Sequence, residues 1–352
     1  MKNRLFLIYL FVILSAGSLS AMTVTVSLND PLNVIPDPAQ ATVESDIATA
    51  VAGQLGQYDN MPDLARGFGN ANTYASHAAT LRGYQGYEIF AIAVGSMLSV
   101  QAPSDAPMFF TSLQDELDTG DVYAGVGGNP AVVQAGLNLG FIIDGLHIAF
   151  KFGKFDYGID KSAYKVDYES NLFGVLLNYQ LINEKAILSR ILLWRGLSLE
   201  SGFIYSNNIV SFYKDIDALA PFTSAGYTVE VDPSIDLVLD TKTVVVPIEI
   251  YSSIRLLYIL NIGVGGGVDY VPYGRTSFTL KSAGAMKVTA PVAVDGTATI
   301  DAGTSDIVPD KYRPKLMINF GLSAGPVFID VPATYYFTDN GYAVGLSAGM
   351  AW

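Results

Sequence analysis

Six charged side chains sit inside otherwise apolar, alternating stretches of this 352-residue chain: Lys151, Glu200, Glu249, Asp269, Lys315 and Asp330. All six fall on the small or polar face of the alternation, the face turned away from the bulky residues. Carboxylates and ammoniums in such places must pair or meet water, because an unpaired buried charge is costly. Arg66 and Arg82, upstream of the alternation, are the expected partners for Glu200, Glu249 and Asp269. Other chemistry is sparse. The only histidines are His77 and His147, and there is no cysteine. Two separated histidines do not make a ligand cluster, so neither a metal nor another cofactor is expected. Residues 263–267 (GVGGG) superficially suggest a nucleotide loop. Such a loop needs a strand before it and a helix after it, and these glycines stand within a strand pattern.

The elements that carry these residues read as strands. In residues 341–352, Tyr342, Val344, Leu346, Met350 and Trp352 form one face, with glycine, alanine and serine on the other. The period of two is that of a strand. The same pattern recurs at 131–141, 146–153, 173–181, 196–206, 243–254, 258–270, 315–324 and 327–337. Residues 87–100 are strand-like but ambiguous in face. Half the residues are hydrophobic and 15% are charged, yet after residue 21 there is no unbroken apolar run long enough for a membrane helix. Apolar residues at alternate positions suit a closed sheet in lipid, where every backbone group must find a partner. The expectation is therefore an all-β fold: a closed antiparallel transmembrane barrel of about ten strands, within a range of 10–14, with a short helical N-terminal plug. Short connections near 142–145, 255–257 and 325–326 are assigned to the periplasm, and long ones at 101–130, 207–242 and 282–314 to the cell surface. Residues 182–195 are read as an amphipathic helix. Residues 227–238 and 286–300 alternate too, and either extend strands beyond the membrane or add further pairs.

Residues 1–21 read as a signal peptide. Lys2 and Arg4 precede an apolar run (LFLIYLFVIL) and small residues, with cleavage expected after Ala21. Residues 22–85 form the plug or periplasmic segment: an extended start, a helix opened by Asp37-Pro38, and a second helix at 71–81 closed by Gly83. Residues 86–352 form the barrel. Net charge is −13, which argues against nucleic acid as a partner.

An alternating last strand ending on Trp352 resembles the terminal signal of bacterial outer-membrane β-barrel proteins. That resemblance implies a place in the outer membrane of a diderm bacterium, with outer-membrane lipid and the barrel assembly machinery as partners and a monomeric state. Spirochaete outer-membrane proteins are similar in composition. Asn129-Pro130-Ala131 resembles the asparagine-proline-alanine motif of fatty-acid transporters of the FadL kind, which also hold an N-terminal hatch inside a barrel. In that family the motif lies near the N-terminus; here it follows the first strand. The implied role is a channel or transporter for small or hydrophobic solutes. The alternative is a structural or adhesin-like surface protein acting through its long loops. Barrel enzymes keep their catalytic groups at the outer rim, where neither histidine falls, so an enzyme is not expected.

Overall fold

The computed structural model describes residues 23–28, 35–55, 61–84, 86–102, 125–161, 164–188, 191–215, 219–224, 227–290, 294–338 and 340–352. The expected signal peptide at residues 1–21, with its expected cleavage after Ala21, lies outside these residues. Ten strands close a ring: β2 (Phe90–Gln101), β3 (Gly125–Asn138), β4 (Leu146–Lys161), β5 (Tyr164–Ile182), β7 (Leu192–Asp215), β9 (Tyr227–Leu256), β10 (Leu260–Ala290), β12 (Tyr312–Ala324), β13 (Val327–Tyr336) and β14 (Gly341–Ala351). Every pairing is antiparallel, and β14 closes on β2 from Gly341–Gln101 to Ala351–Ala91. Four further strands pair around this ring: β1 (Thr23–Leu28) on β11 (Val294–Ile307), β11 on β10, β6 (Lys185–Leu188) on β7, and β8 (Leu219–Ser224) on β9.

The outer face is apolar and exposed, as at Val94, Leu98, Val264, Phe320, Ile329 and Val344. Tyr342, Leu346, Met350 and Trp352 lie on it as well. Tyr270 and Tyr312 stack at 5.2 Å, and Tyr335 meets Tyr342 at 5.1 Å. Aromatics gathered at such levels are the girdle of a barrel whose outer face meets lipid. No described helix is long and apolar enough to cross a membrane, and the chain is a transmembrane β-barrel.

Several local readings change. The described residues of 182–195 form no helix: β6 pairs there with the start of β7. The alternation at 227–238 and 286–300 adds no strand to the ring, but lengthens β9 and β10 to 30 and 31 residues and supplies part of β11. Asn129-Pro130-Ala131 sits at a register shift where Gly95 pairs with Val132 but Met97 pairs with Asn129. Proline lacks the amide for a ladder, so a bulge suits it. Upstream, the helices are α1 (Asp37–Leu55) and α2 (Met61–Ala75). Thus α2 begins ten residues before the expected start and stops six before the expected end.

Candidate functional site

Strand register assembles the centre of the site. Glu200 on β7 lies directly opposite Glu249 on β9, and Glu249 opposite Gly267 on β10. Gly267 faces Lys315 on β12, and Lys315 faces Tyr336 on β13. All these positions lie on the inner face. Two carboxylates directly opposed on neighbouring strands repel, so the row needs cations. Gly267 lets one arrive: a Cβ there would overlap the Ile248 and Glu249 backbone. Lys315 reaches across the glycine and donates to Glu249 Oε1 at 2.5 Å and to Asp269 Oδ1 at 2.6 Å.

The second cation comes from the N-terminal segment. Arg82 is buried and donates two bonds to Glu249, Nε to Oε2 at 2.6 Å and Nη2 to Oε1 at 2.5 Å. This fork-on-carboxylate geometry is the strong form of the interaction. Arg82 Nη2 also lies 3.0 Å from His77 Nδ1, while His77 Nε2 lies 2.9 Å from Asp269 Oδ2. A guanidinium can only donate, so Nδ1 accepts; Nε2 stands between Asp269 Oδ2 and the Lys315 ammonium, which lies 3.1 Å from it. Tyr336 Oη donates to the same Asp269 oxygen at 3.1 Å. Two carboxylates are therefore balanced by two cations around one histidine, all fully or almost fully buried.

His77, Glu249 and Asp269 also bring three donor atoms within 4.8 Å of one another, as a metal site would. The Lys315 ammonium and the Arg82 guanidinium already lie on those atoms. A divalent ion there would meet two fixed positive charges, so the donor set does not fit a metal.

The same segment meets the ring above and below this centre. On α2, Asn70 donates to Asp310 Oδ2 at 2.8 Å, and Arg313 donates to the Asn70 carbonyl at 3.2 Å and to Thr73. Asn72 donates to Thr243 Oγ1 at 3.1 Å and accepts from Ser206 and Asn208. Tyr74 stacks on Tyr336 at 3.9 Å, and Phe68 packs with Phe212, Leu237, Leu239, Phe278 and Leu280. Beyond the helix, Gly83 accepts from Ser253, Tyr84 stacks on Phe328 at 3.8 Å and Tyr87 meets the His147 ring edge-on at 4.6 Å. Glycines in the ring make way for the segment: a Cβ at Gly136, Gly321 or Gly341 would overlap Tyr87, Tyr84 or Tyr74 respectively.

The other sequence candidates fall at different distances from this centre, Glu200 beside it and Arg66 away from it. Lys151 and Glu200 are buried on β4 and β7. Asp330 accepts two bonds from the Asn319 amide, at 2.7 and 2.9 Å. Arg66 does not share the place of Arg82: it is partly exposed and pairs with Asp63, one turn earlier on α2, at 3.6 Å. His77 enters the sequence only as an isolated histidine, and Arg313 and Tyr336 were not among its candidates. The pattern's one hint was Tyr336, on the inner face of its strand beside Tyr335.

The family described as Lsa36-like matches residues 19–352. No curated protein matches the chain. Solved structures similar to it include the translocator domain of the autotransporter NalP from Neisseria meningitidis, at 11% identity over 75% of this chain and 89% of that one, with a TM-score of 0.31. CarO from Acinetobacter baumannii is 10% identical over 73% and 97% of the two chains, with a TM-score of 0.29. A Pseudomonas aeruginosa FadL homologue is 9% identical over 81% and 98%, with a TM-score of 0.26.

Proposed function

We propose that this chain, which belongs to the Lsa36-like family, is a plugged outer-membrane channel or transporter for small or hydrophobic solutes. In this reading residues 61–84 and 86–88 fill the lumen, and the cluster around Arg82 locks them there. The supporting observation is the Arg82–Glu249–Lys315–Asp269–His77 cluster, in which segment and ring each supply charges the other must balance. Sequence-distant ion pairs of this kind can be undone without unpairing any strand, because the wall's own ladder is complete around the ring. The apolar cluster around Phe68 at one end of the lumen suits a solute with an apolar part.

Planar-bilayer conductance tests the reading. The native chain should conduct weakly, and Arg82→Met should raise conductance or open frequency while the barrel stays folded. A folded Arg82→Met barrel with unchanged conductance would count against a charge-locked plug. One observation favours a second reading, a surface-exposed interaction protein: β9 and β10 run far past the length a tilted strand needs to cross lipid, about 9–11 residues. Such a protein would show no solute-dependent change in conductance with any lock variant.

A further inference from the structure

We infer that the N-terminal segment runs through the lumen from the outside of the cell inward, so that β1 and α1 stand on the cell surface and the barrel displays its own N-terminal part. The inference rests on the lumen reading above and adds a direction to it.

The contacts of the segment occur in a strict order along the barrel. Phe68 meets Leu237, Leu239, Phe278 and Leu280, in the long extensions of β9 and β10. Tyr74 then lies on Tyr336, at the end of β13 away from its turn with β12. His77 and Arg82 follow on Asp269 and Glu249. Gly83 is held by Ser253, three residues before β9 ends. Tyr84 reaches Phe328 and Tyr87 reaches His147, each beside a tight turn. Ile89 then bonds to the Trp352 carbonyl at 2.8 Å and β2 begins. Nothing in this order doubles back.

The residues before Phe68 must therefore lie beyond the far end, and β1 does. It pairs with β11 from Thr23–Asp301 to Leu28–Gly296, and those β11 residues pair with Lys281–Met286 of β10. This is roughly twenty or more residues past the turn at which β10 starts, about twice what a tilted strand needs to cross a bilayer. Helix α1 packs against β1 and also reaches β8 at the same end.

The ends of the barrel are told apart by their connections. At the Trp352 end, β9 joins β10 through residues 257–259, and β12 joins β13 through residues 325–326. At the other end the strands overrun the belt, and residues 102–124 separate β2 from β3. Short turns lie in the periplasm and long connections outside, so β1 and α1 lie outside. The consequence is functional: the barrel is both anchor and conduit for β1 and α1, which with β8 and β11 build one surface-exposed module.

The chain's lack of cysteine allows a direct test with single-cysteine variants in intact cells and a membrane-impermeant maleimide. Ser45→Cys lies on an exposed face of α1, and Asp144→Cys in the exposed turn between β3 and β4. A third variant, Ala71→Cys with Ser99→Cys, reports the lumen, since Ser99 Oγ donates to the Ala71 carbonyl at 2.5 Å. The expected result is that Ser45→Cys labels on intact cells, Asp144→Cys labels only after the outer membrane is permeabilised, and the 71–99 pair forms a disulfide on oxidation. Ser45→Cys labelling only after permeabilisation, with the disulfide formed, would overturn the direction and leave the lumen reading standing. Failure of the disulfide in a folded barrel would overturn both.

Discussion

The two halves of the N-terminal segment meet the same wall by different means. After Arg66, helix α2 brings no charged side chain: Asn70, Asn72, Thr73 and Tyr74 offer amides, a hydroxyl and a ring, and charge comes only from the wall, through Arg313 and Asp310. Past the helix the segment brings Arg82 and His77, and the wall answers with Glu249, Asp269 and Lys315. The helical half is held by more numerous contacts, each worth about 0.5–1.5 kcal/mol where both partners are neutral and about 1.5–3 where Arg313 or Asp310 takes part. The irregular half is held by a few contacts that cannot be lost singly, because removing one member of a buried ion pair leaves an uncompensated charge. In the proposed reading the first half can adjust, while the second fixes the depth of the segment in the lumen.

The sharpest way to break this contrast is Lys315→Met. It leaves Glu249 and Asp269 with Arg82 as the only remaining cation of the cluster described here, and a loss of about 3–5 kcal/mol is expected. Thermal or denaturant unfolding in detergent, or the temperature at which the band shifts on a gel, would measure it. A loss below about 1 kcal/mol would mean that water already reaches the cluster. A double-mutant cycle between Arg82→Met and Glu249→Leu sharpens the same point. The two residues share two hydrogen bonds, so their coupling should lie within about 0.5–3 kcal/mol. Additive effects would show that segment and wall are independently stable there.

How much of this could be read in the sequence depends on whether the signal was periodic. The wall was legible, because an outer face that meets lipid imposes a period of two on every strand. Val344, Leu346 and Met350 carry it, and the ring closes with ten strands. Register beyond the membrane was less legible. Bulges break the alternation, as between Tyr270 and Tyr273 of β10, after which Phe278 and Leu280 face inward where unbroken alternation would have put Thr279 and Lys281. The helix boundary misled for a definite reason. Gly67 and Gly69 are poor helix formers, yet here they lie where α2 comes close to the wall: a Cβ on Gly125 would strike the Gly67 backbone, and one on Gly69 would meet Thr276 and Pro309. His77 stands out in the sequence only by its rarity, and its place in the cluster was not legible, as its partner Asp269 lies 192 residues away and a single histidine has no period.

Gly341→Ala moves the comparison to the helical half. Its new methyl group would overlap the Tyr74 ring, which cannot retreat because it stacks on Tyr336 at 3.9 Å with the Arg313 guanidinium 5.1 Å from its centroid. Overpacking of this kind costs about 1–3 kcal/mol. Unfolding measurements should place it below Lys315→Met, and Gly341→Ala combined with Tyr74→Ala should recover part of the loss by freeing the space. No recovery would mean that the strain lies in the β13–β14 ladder rather than against the helix.

The smallest effect is expected from Asn72→Ala, which removes three hydrogen bonds at once. Its amide donates to Thr243 and accepts from Ser206 and Asn208. By number of bonds it should rival the charge cluster. By physics it should not, because every partner is neutral and has somewhere else to turn. The Thr243 and Ser206 hydroxyls can rotate, and the Asn208 amide also donates to the Gly128 carbonyl at 3.2 Å. What remains is the net worth of the bonds minus what the partners regain, about 1 kcal/mol. If Arg82 locks the segment as proposed, conductance should stay at the native level. Unfolding in detergent reads the first quantity and bilayer recordings read the second. A loss as large as that of Lys315→Met, or an open channel, would show that the helix rather than the charges carries the lock.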